Sequence, residues 1–218
     1  MEPARWPGVW REGRDLFTRN AAPGTRVHGE TVRSVDGVEY RAWDPWRSKL
    51  AALLVQGLPS MLLVRPRAVL YLGGAHGTTA SHLSDLWPGT PIVVVEKSPA
   101  AFGPLLAVAR HRTNLLPILG DAQLPERYRA DAGSVDLLYQ DVAQRDQVRI
   151  FLENADACLA AEGRGLLMLK VRSVTQRRPG AAVVRESRDA LERAGFAVDG
   201  EWTLAPFARE HVALAVHR

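Results

Sequence analysis

Residues 69–96 read VLYLGGAHGTTASHLSDLWPGTPIVVVE, and this stretch decides the fold. An apolar run, Val69-Leu70-Tyr71-Leu72, is long enough for a buried strand and passes into Gly73-Gly74-Ala75-His76-Gly77, a composition suited to a tight backbone turn. The spacing predicts a helix next, with Thr78, Thr79 and Ser81 as N-terminal capping residues and Pro88-Gly89 as its stop. A second apolar run, Ile92-Val93-Val94-Val95, then delivers Glu96, about 20 residues beyond the glycines, as in nucleotide-binding βαβ units. Glycines let the main chain approach a ligand closely, and a carboxylate at the end of the next strand can accept both hydroxyls of a ribose.

Glycine turns also occur in α/β proteins that bind no nucleotide, so the turn alone leaves that reading open. Two details favour adenosyl-methionine over a dinucleotide. The spacing is Gly-x-x-x-Gly rather than G-x-G-x-x-G, and no Arg follows the acidic residue to hold a phosphate. A methyl donor carries no phosphate, so its site needs no anion cradle.

Working outward, the 218 residues suit one α/β domain with a small appendage. A net charge of +4 and a pI near 9.6 permit a polyanionic partner without requiring one. The single cysteine, Cys158, excludes an internal disulfide and fits a core thiol in a reducing cytoplasm. No apolar run approaches the roughly 18 residues of a membrane span, and the N-terminal residues have no signal-peptide core. Lysine is scarce: Lys49, Lys97 and Lys170 stand alone among arginines. A compact amine that can release its proton when buried is the property arginine cannot imitate.

Before residue 49, alternating segments at 27–35 and 38–43 flank Asp36-Gly37, a hairpin signal, and predict a small antiparallel sheet. Ser48 can cap a helix over 49–58. After Glu96 the strand–helix rhythm continues: helix 100–112, strand Leu115–Leu119, strand 135–139, helix 145–161, strand 165–169, helix 182–194, and final strands near 196–204 and 211–216. The glycine turn, Glu96, Asp121, Asp141 and Lys170 then all fall at the carboxyl ends of successive strands, the edge where open parallel sheets bind ligands. Singly, Asp121 and Asp141 also suit helix capping.

Several blocks of residues together resemble fibrillarin and its archaeal homologues, the guide-RNA-directed ribose 2′-O-methyltransferases. They are Glu39-Tyr40-Arg41-Ala42-Trp43-Asp44-Pro45 with Arg47-Ser48-Lys49-Leu50, Tyr71-Leu72-Gly73 with Gly77-Thr78-Thr79, Tyr139-Gln140-Asp141-Val142-Ala143-Gln144, and Gly165-Leu166-Leu167-Met168-Leu169-Lys170. The resemblance implies a Rossmann-like class I methyltransferase fold dependent on S-adenosyl-L-methionine. In it, a mostly parallel seven-stranded sheet has helices on both faces, with a small N-terminal antiparallel β subdomain at 1–48 and the methyltransferase domain at 49–218. It further implies a donor pocket of Gly73, Ala75, Thr78, Thr79, Glu96, Lys97, Asp121, Ala122, Asp141, Val142, Ala143 and Gln144. The family's catalytic set of Lys, Asp, Lys and His maps onto Lys49, Asp141, Lys170 and His211, with no metal. His76 and Lys97 depart from the pattern, where a small residue and an aromatic are usual, and the 175–180 region is more basic than the norm.

The implied setting is a box C/D particle in which guide RNA selects the target rRNA or tRNA nucleotide. A Nop-family scaffold protein holds the methyltransferase there, and a kink-turn-binding, ribosomal-protein-like subunit binds the RNA. The lack of a glycine-arginine-rich tail points to the archaeal, cytoplasmic type. Two other readings stay open: a stand-alone methyltransferase acting on a protein glutamine or a small molecule, and a structural subunit that has lost catalysis.

Overall fold

In a computed structural model, residues 1–174 and 177–218 are described. Two sheets form. The first is antiparallel, with strands β1 (Glu2–Pro3), β2 (Val9–Glu12), β3 (Asp15–Arg19), β4 (Val32–Val35) and β5 (Val38–Ala42) in the order β1-β2-β3-β5-β4. Helix α1 (Lys49–Val55) leads into the second sheet. Its elements are β6 (Val69–Leu72), α2 (Thr78–Leu86), β7 (Ile92–Glu96), α3 (Pro99–Ala109), β8 (Leu115–Leu119), α4 (Arg129–Ala132), β9 (Val135–Gln140), α5 (Gln147–Cys158), β10 (Leu159–Lys170), α6 (Val171–Val174), α7 (Gly180–Arg193), β11 (Ala197–Thr203) and β12 (His211–His217). The strand order is β11-β12-β10-β9-β6-β7-β8. Pairing is parallel from β10 to β8, and β12 runs antiparallel to β10 and β11.

The apolar runs build this sheet because both of its faces are covered, so successive residues enter opposite cores. Val69, Tyr71, Ile92 and Val94 pack with Leu50 and Leu53 of α1, Leu83 of α2 and Leu105 of α3. Leu70, Leu72, Val93 and Val95 pack on the other face with Ile150 and Phe151 of α5 and Val183 and Leu191 of α7. Each fully buried Leu, Ile or Val contributes about 1.5–3 kcal/mol relative to exposure. The chain therefore leaves β6 towards one face and β9 towards the other. These neighbours form the switch point, with Leu72 opposite Gln140, and a crevice opens beyond their carboxyl ends.

The N-terminal sheet has its own hydrogen-bond ladder but shares the first core through Val9, Leu16 and Trp43. A buried polar network clamps it to α2. The Arg41 guanidinium donates to Glu30 at 2.7 Å, Asp85 at 3.0 Å and Ser81 at 2.8 Å, while Thr18 donates to Asp85 at 2.8 Å. Arg112 also pairs with Asp85, at 3.3 Å. Trp43 stacks on His82 at 5.0 Å, and burial among these cations holds that imidazole well below its usual pKa. The helix that carries the glycine turn is thus anchored at many points.

Several local expectations need correction. Residues 27–31 are not a strand, because the Glu30 carboxylate turns back on the chain and accepts the Val27 and His28 amides at 3.0 and 2.9 Å. The N-cap of α2 is Gly77, with φ +88, and no side chain caps the helix; the Ser81 hydroxyl instead donates to the Thr78 carbonyl at 2.8 Å. Helix α5 stops at Cys158, and β10 begins at Leu159, earlier than expected, with a register shift before Arg164. Strands β1–β3 and the short helices α4 and α6 carry no strong periodicity, and the sequence reading missed them. Within the basic 175–180 region, Thr175 and Gln176 lie outside the described residues. No helix among the described residues is long and apolar enough to cross a membrane.

Candidate active site

The crevice begins at the glycine turn. Gly73 has φ +86, and a Cβ there would stand against the Asp141 carbonyl, 2.9 Å from its carbon, so a side chain would collide with backbone. Gly74 is equally confined, its added Cβ meeting Val94 Cγ1. Ala75, at φ +46, points its amide at Glu96 Oε2 from 2.8 Å, and the Ser98 amide holds Oε1 at 2.7 Å. The Glu96 carboxylate is therefore fixed at the rim of a cavity of about 160 Å³. Gly73, Ala75, Glu96, Lys97, Ala122, Asp141, Val142, Ala143 and Gln144 line that cavity.

Lys97 closes one side through a 2.7 Å ion pair with Asp121, the lysine side chain being 58% exposed. Partial burial pushes the Asp121 carboxyl up, but bonds from Lys97, the Gln123 amide and Gln144 outweigh it and hold the group below its usual range. The Gln144 amide oxygen in turn accepts from Gln123. Three of the expected pocket residues do not line the cavity: Asp121 stands behind Lys97, and two others sit elsewhere. Thr78 lines a different recess with His76 and Arg47, and Thr79 is buried beneath α1, its hydroxyl 3.0 Å from that of Ser48.

Asp141 is the hinge of the arrangement. Its backbone amide donates to Leu72 at 2.9 Å, which fixes the residue beside the glycine turn, and it lines the cavity there. Its carboxylate accepts from Lys49 Nζ at 2.8 Å. Lys49 lines a second recess, of about 340 Å³, together with Lys170, His211, Trp46 and Phe207. Three of the four residues expected to react line this second recess and the fourth, Asp141, is tied to them through Lys49; they are brought together by the start of α1, the end of β9, the end of β10 and the start of β12.

Electrostatics tie the cluster together. Burial raises the Asp141 carboxyl, and the Lys49 and Lys170 ammoniums pull it back without cancelling that rise. The His211 imidazole is lowered to about 4, first by burial and then by the same two ammoniums, so it is neutral near pH 7. Its Nδ1 is buried with no partner among the described residues. A carboxylate bonded to one of two ammoniums beside a neutral imidazole can hold a hydroxyl, orient its oxygen and, through the carboxylate, remove its proton.

Sequence reading missed Gln147, which clamps Lys170 from below. Its Oε1 accepts from the Lys170 amide at 2.8 Å, its Nε2 donates to the Lys170 carbonyl at 3.0 Å, and its own carbonyl accepts from Gln140 at 2.7 Å. The signal was a polar residue on the buried stripe Gln147, Ile150, Phe151, Asn154 of α5. Ser48 was expected only as a cap, and its hydroxyl does accept the Ala51 amide at 3.3 Å while also meeting Thr79. Trp46, 63% exposed, leans edge-on against Phe207 at 5.0 Å and forms a wall of the second recess.

Comparison with known proteins agrees with this architecture. A fibrillarin-like rRNA/tRNA 2′-O-methyltransferase of Methanothermobacter thermautotrophicus is 42% identical over 211 residues, covering 97% of this chain and 94% of its own. The Aeropyrum pernix fibrillarin crystal structure, in complex with natively bound S-adenosyl-L-methionine, superposes with a TM-score of 0.89 at 39% identity, covering 99% of this chain and 96% of that one. A fibrillarin/Nop5p complex gives a TM-score of 0.89 at 35% identity over 100% of both chains. The fold is that of the class I S-adenosylmethionine-dependent methyltransferases. The Fibrillarin family profile matches residues 2–218, and the chain belongs to the fibrillarin family.

Proposed function

We propose that this chain methylates ribose 2′-hydroxyls of rRNA, and of tRNA, as the catalytic subunit of a box C/D ribonucleoprotein in which guide RNA selects the nucleotide. The observation that carries this reading is Asp141, which lines one hollow and whose carboxylate is bonded to Lys49, a wall of the other. A donor and an acceptor would meet at that residue. Its relatives' named activity and their recorded complexes support the same assignment.

S-adenosyl-L-methionine suits the first cavity on the chemistry of its walls. The glycine turn leaves room against the backbone, Glu96 presents two oriented oxygens for ribose hydroxyls, and Ala122 offers apolar surface beside the Lys97–Asp121 pair for the adenine. Val142, Ala143 and Gln144 would flank the methionine portion, with Thr78 and Thr79 supporting the turn from behind. When bound, the donor supplies an electrophilic methyl group on a sulfonium.

The protein's own part is mostly placement. A ribose hydroxyl is a weak nucleophile at neutral pH, and fixing its oxygen in line with an electrophile can recover about 7–11 kcal/mol of barrier. Asp141 orients the hydroxyl by accepting its hydrogen bond. Lys170 steers the oxygen as an ammonium donor and the Asp141 carboxylate takes the hydroxyl proton, while Lys49 holds that carboxylate in place and His211 completes the shell as a neutral group.

We carry residues 1–48 as a subdomain that braces the glycine turn through Arg41. A Nop-family scaffold would hold the chain on the guide RNA and a kink-turn-binding subunit would organise that RNA, in the cytoplasm and without a membrane. The test is a guide exchange in the reconstituted particle. Redesigning the guide should move the 2′-O-methyl to the newly paired nucleotide, and the chain alone should modify little RNA. Robust sequence-selective methylation without guide and scaffold would overturn the assignment.

A further inference from the structure

Beside the second recess runs a larger groove of about 820 Å³, between α6 and α7 on one side and β11 and β12 on the other. Arg172, Arg178, Arg185, Arg188 and Arg209 line it, against two carboxylates, Glu201 and Glu210. Arg209 and Glu210 also line the recess that holds Lys49, Lys170 and His211, so the two hollows adjoin across a shared wall. Val171, Val184 and Val212 give the groove an apolar floor.

We propose that this groove is the track for the RNA phosphates flanking the reacting ribose, an inference that rests on the reading of the site as a ribose methyltransferase. The arginines come from α6, the segment before α7, two successive turns of α7 and the residue before Glu210, and do not belong to one local cluster. A polyanion needs such a distributed set, whereas a single small anion would be met by one convergent pocket. A guanidinium matches a phosphate with two parallel donors, which suits arginine to the task better than lysine.

The existing pairs do not block the track. Arg172 bonds Glu210 at 3.1 Å, Arg188 bonds Glu192 at 2.9 Å, and Arg178 pairs with Glu186, all at the surface. Surface pairs of this kind hold only weakly, so phosphate can replace the carboxylate. The guanidinium groups of Arg185 and Arg209 make no hydrogen bond or ion pair among the described residues. The groove therefore keeps charge in hand at the end that adjoins the recess and along α7.

The test compares the reconstituted guide-RNA particle carrying the native chain with one carrying Arg185→Ala/Arg188→Ala, two exposed positions on α7 outside the recess. The expected result is a rise of about tenfold in KM for a guide-paired RNA, with kcat and donor affinity unchanged. The log–log salt dependence of RNA affinity should become shallower by about 0.7–0.9 for each phosphate no longer neutralised. Arg185→Lys/Arg188→Lys, which keeps the charge, should recover part of the affinity. Unchanged KM and salt slope in a particle that still methylates ribose would overturn the track while leaving the assigned reaction standing. So would weakened scaffold capture with RNA affinity intact, since the groove would then belong to a protein partner. A native particle that methylates no ribose would instead remove the reading beneath the proposal.

Discussion

The Lys49 ammonium stands 2.8 Å from an Asp141 carboxylate oxygen, a pair 92 positions apart in the chain. The partners are 28% and 15% exposed, so water screens the pair only partly. Burial raises the Asp141 carboxyl above its ordinary 3.8, with Lys49 and then Lys170 opposing the rise. The acid limb of the pH–rate profile should accordingly lie above the ordinary carboxylate range. In Lys49→Met it should move further up, because the larger opposing charge is gone. A profile of kcat/KM against pH measures both, and an unmoved limb in the variant would detach Lys49 from Asp141 in the reaction. Because the folded pKa is raised, Asp141 favours folding most below the unfolded value and loses that contribution as pH rises through the folded one.

For His211 the sign is opposite. Its folded pKa of about 4 lies below the ordinary 6.5, so the unfolded chain binds the extra proton first and stability falls as pH drops from 6.5 through about 4. Above 6.5 this penalty is absent. An NMR titration should find one imidazole that stays neutral to about pH 4, and His211→Gln should lose less stability than the native chain across that window. Titration of His211 near 6.5 would contradict the burial and charge assigned to it.

Gln147 holds the Lys170 backbone through two hydrogen bonds, and in the proposed mechanism it is a positioning residue that acts through Lys170. Gln147→Leu keeps a similar volume but leaves the Lys170 amide and carbonyl without their partner, at a cost of about 1–3 kcal/mol for each buried group unsatisfied. The expected outcome is a lower kcat with donor affinity retained. Calorimetry with the donor, alongside single-turnover methylation, separates this from general destabilisation, which would lower both.

The strand and helix positions around residues 69–96 were legible because both sheet faces are buried, which turns strands into unbroken apolar runs between glycine and proline stops. The shared edge was legible for the same reason: once strands are placed, Glu96, Asp121, Asp141 and Lys170 follow at their ends. Residues 27–31 were not, since the alternation there is real but Glu30 is drawn away by Arg41 and two amides. Pairings such as Lys97 with Asp121, or Gln147 with the Lys170 backbone, depend on separations of 24 and 23 residues and leave no local periodicity. Strands β1 and β2 are short and partly exposed, and they are held by pairing and by Val9 in the first core rather than by an alternating pattern.

Arg41 is the brace between the two sheets, fully buried between Glu30 and Asp85. Arg41→Ala would leave buried Glu30 without its cation and Asp85 with Arg112 alone, and breaking a buried pair typically costs about 3–5 kcal/mol. For a chain of this size each kcal/mol lowers Tm by about 2–4 °C. Thermal unfolding should show that drop, and a loss within about 0.5 kcal/mol would mean that the network is not holding the sheets together.

The convergence of Lys49, Asp141 and Lys170 is tested most directly by Lys170→Ala in the assembled guide-RNA particle, with donor affinity and single-turnover methyl transfer measured on the same preparation. Donor affinity should stay within about twofold while transfer to the 2′-hydroxyl falls about 10²- to 10³-fold, the range that loss of one positioned donor costs. Near-native turnover with Lys170 gone would contradict the convergence.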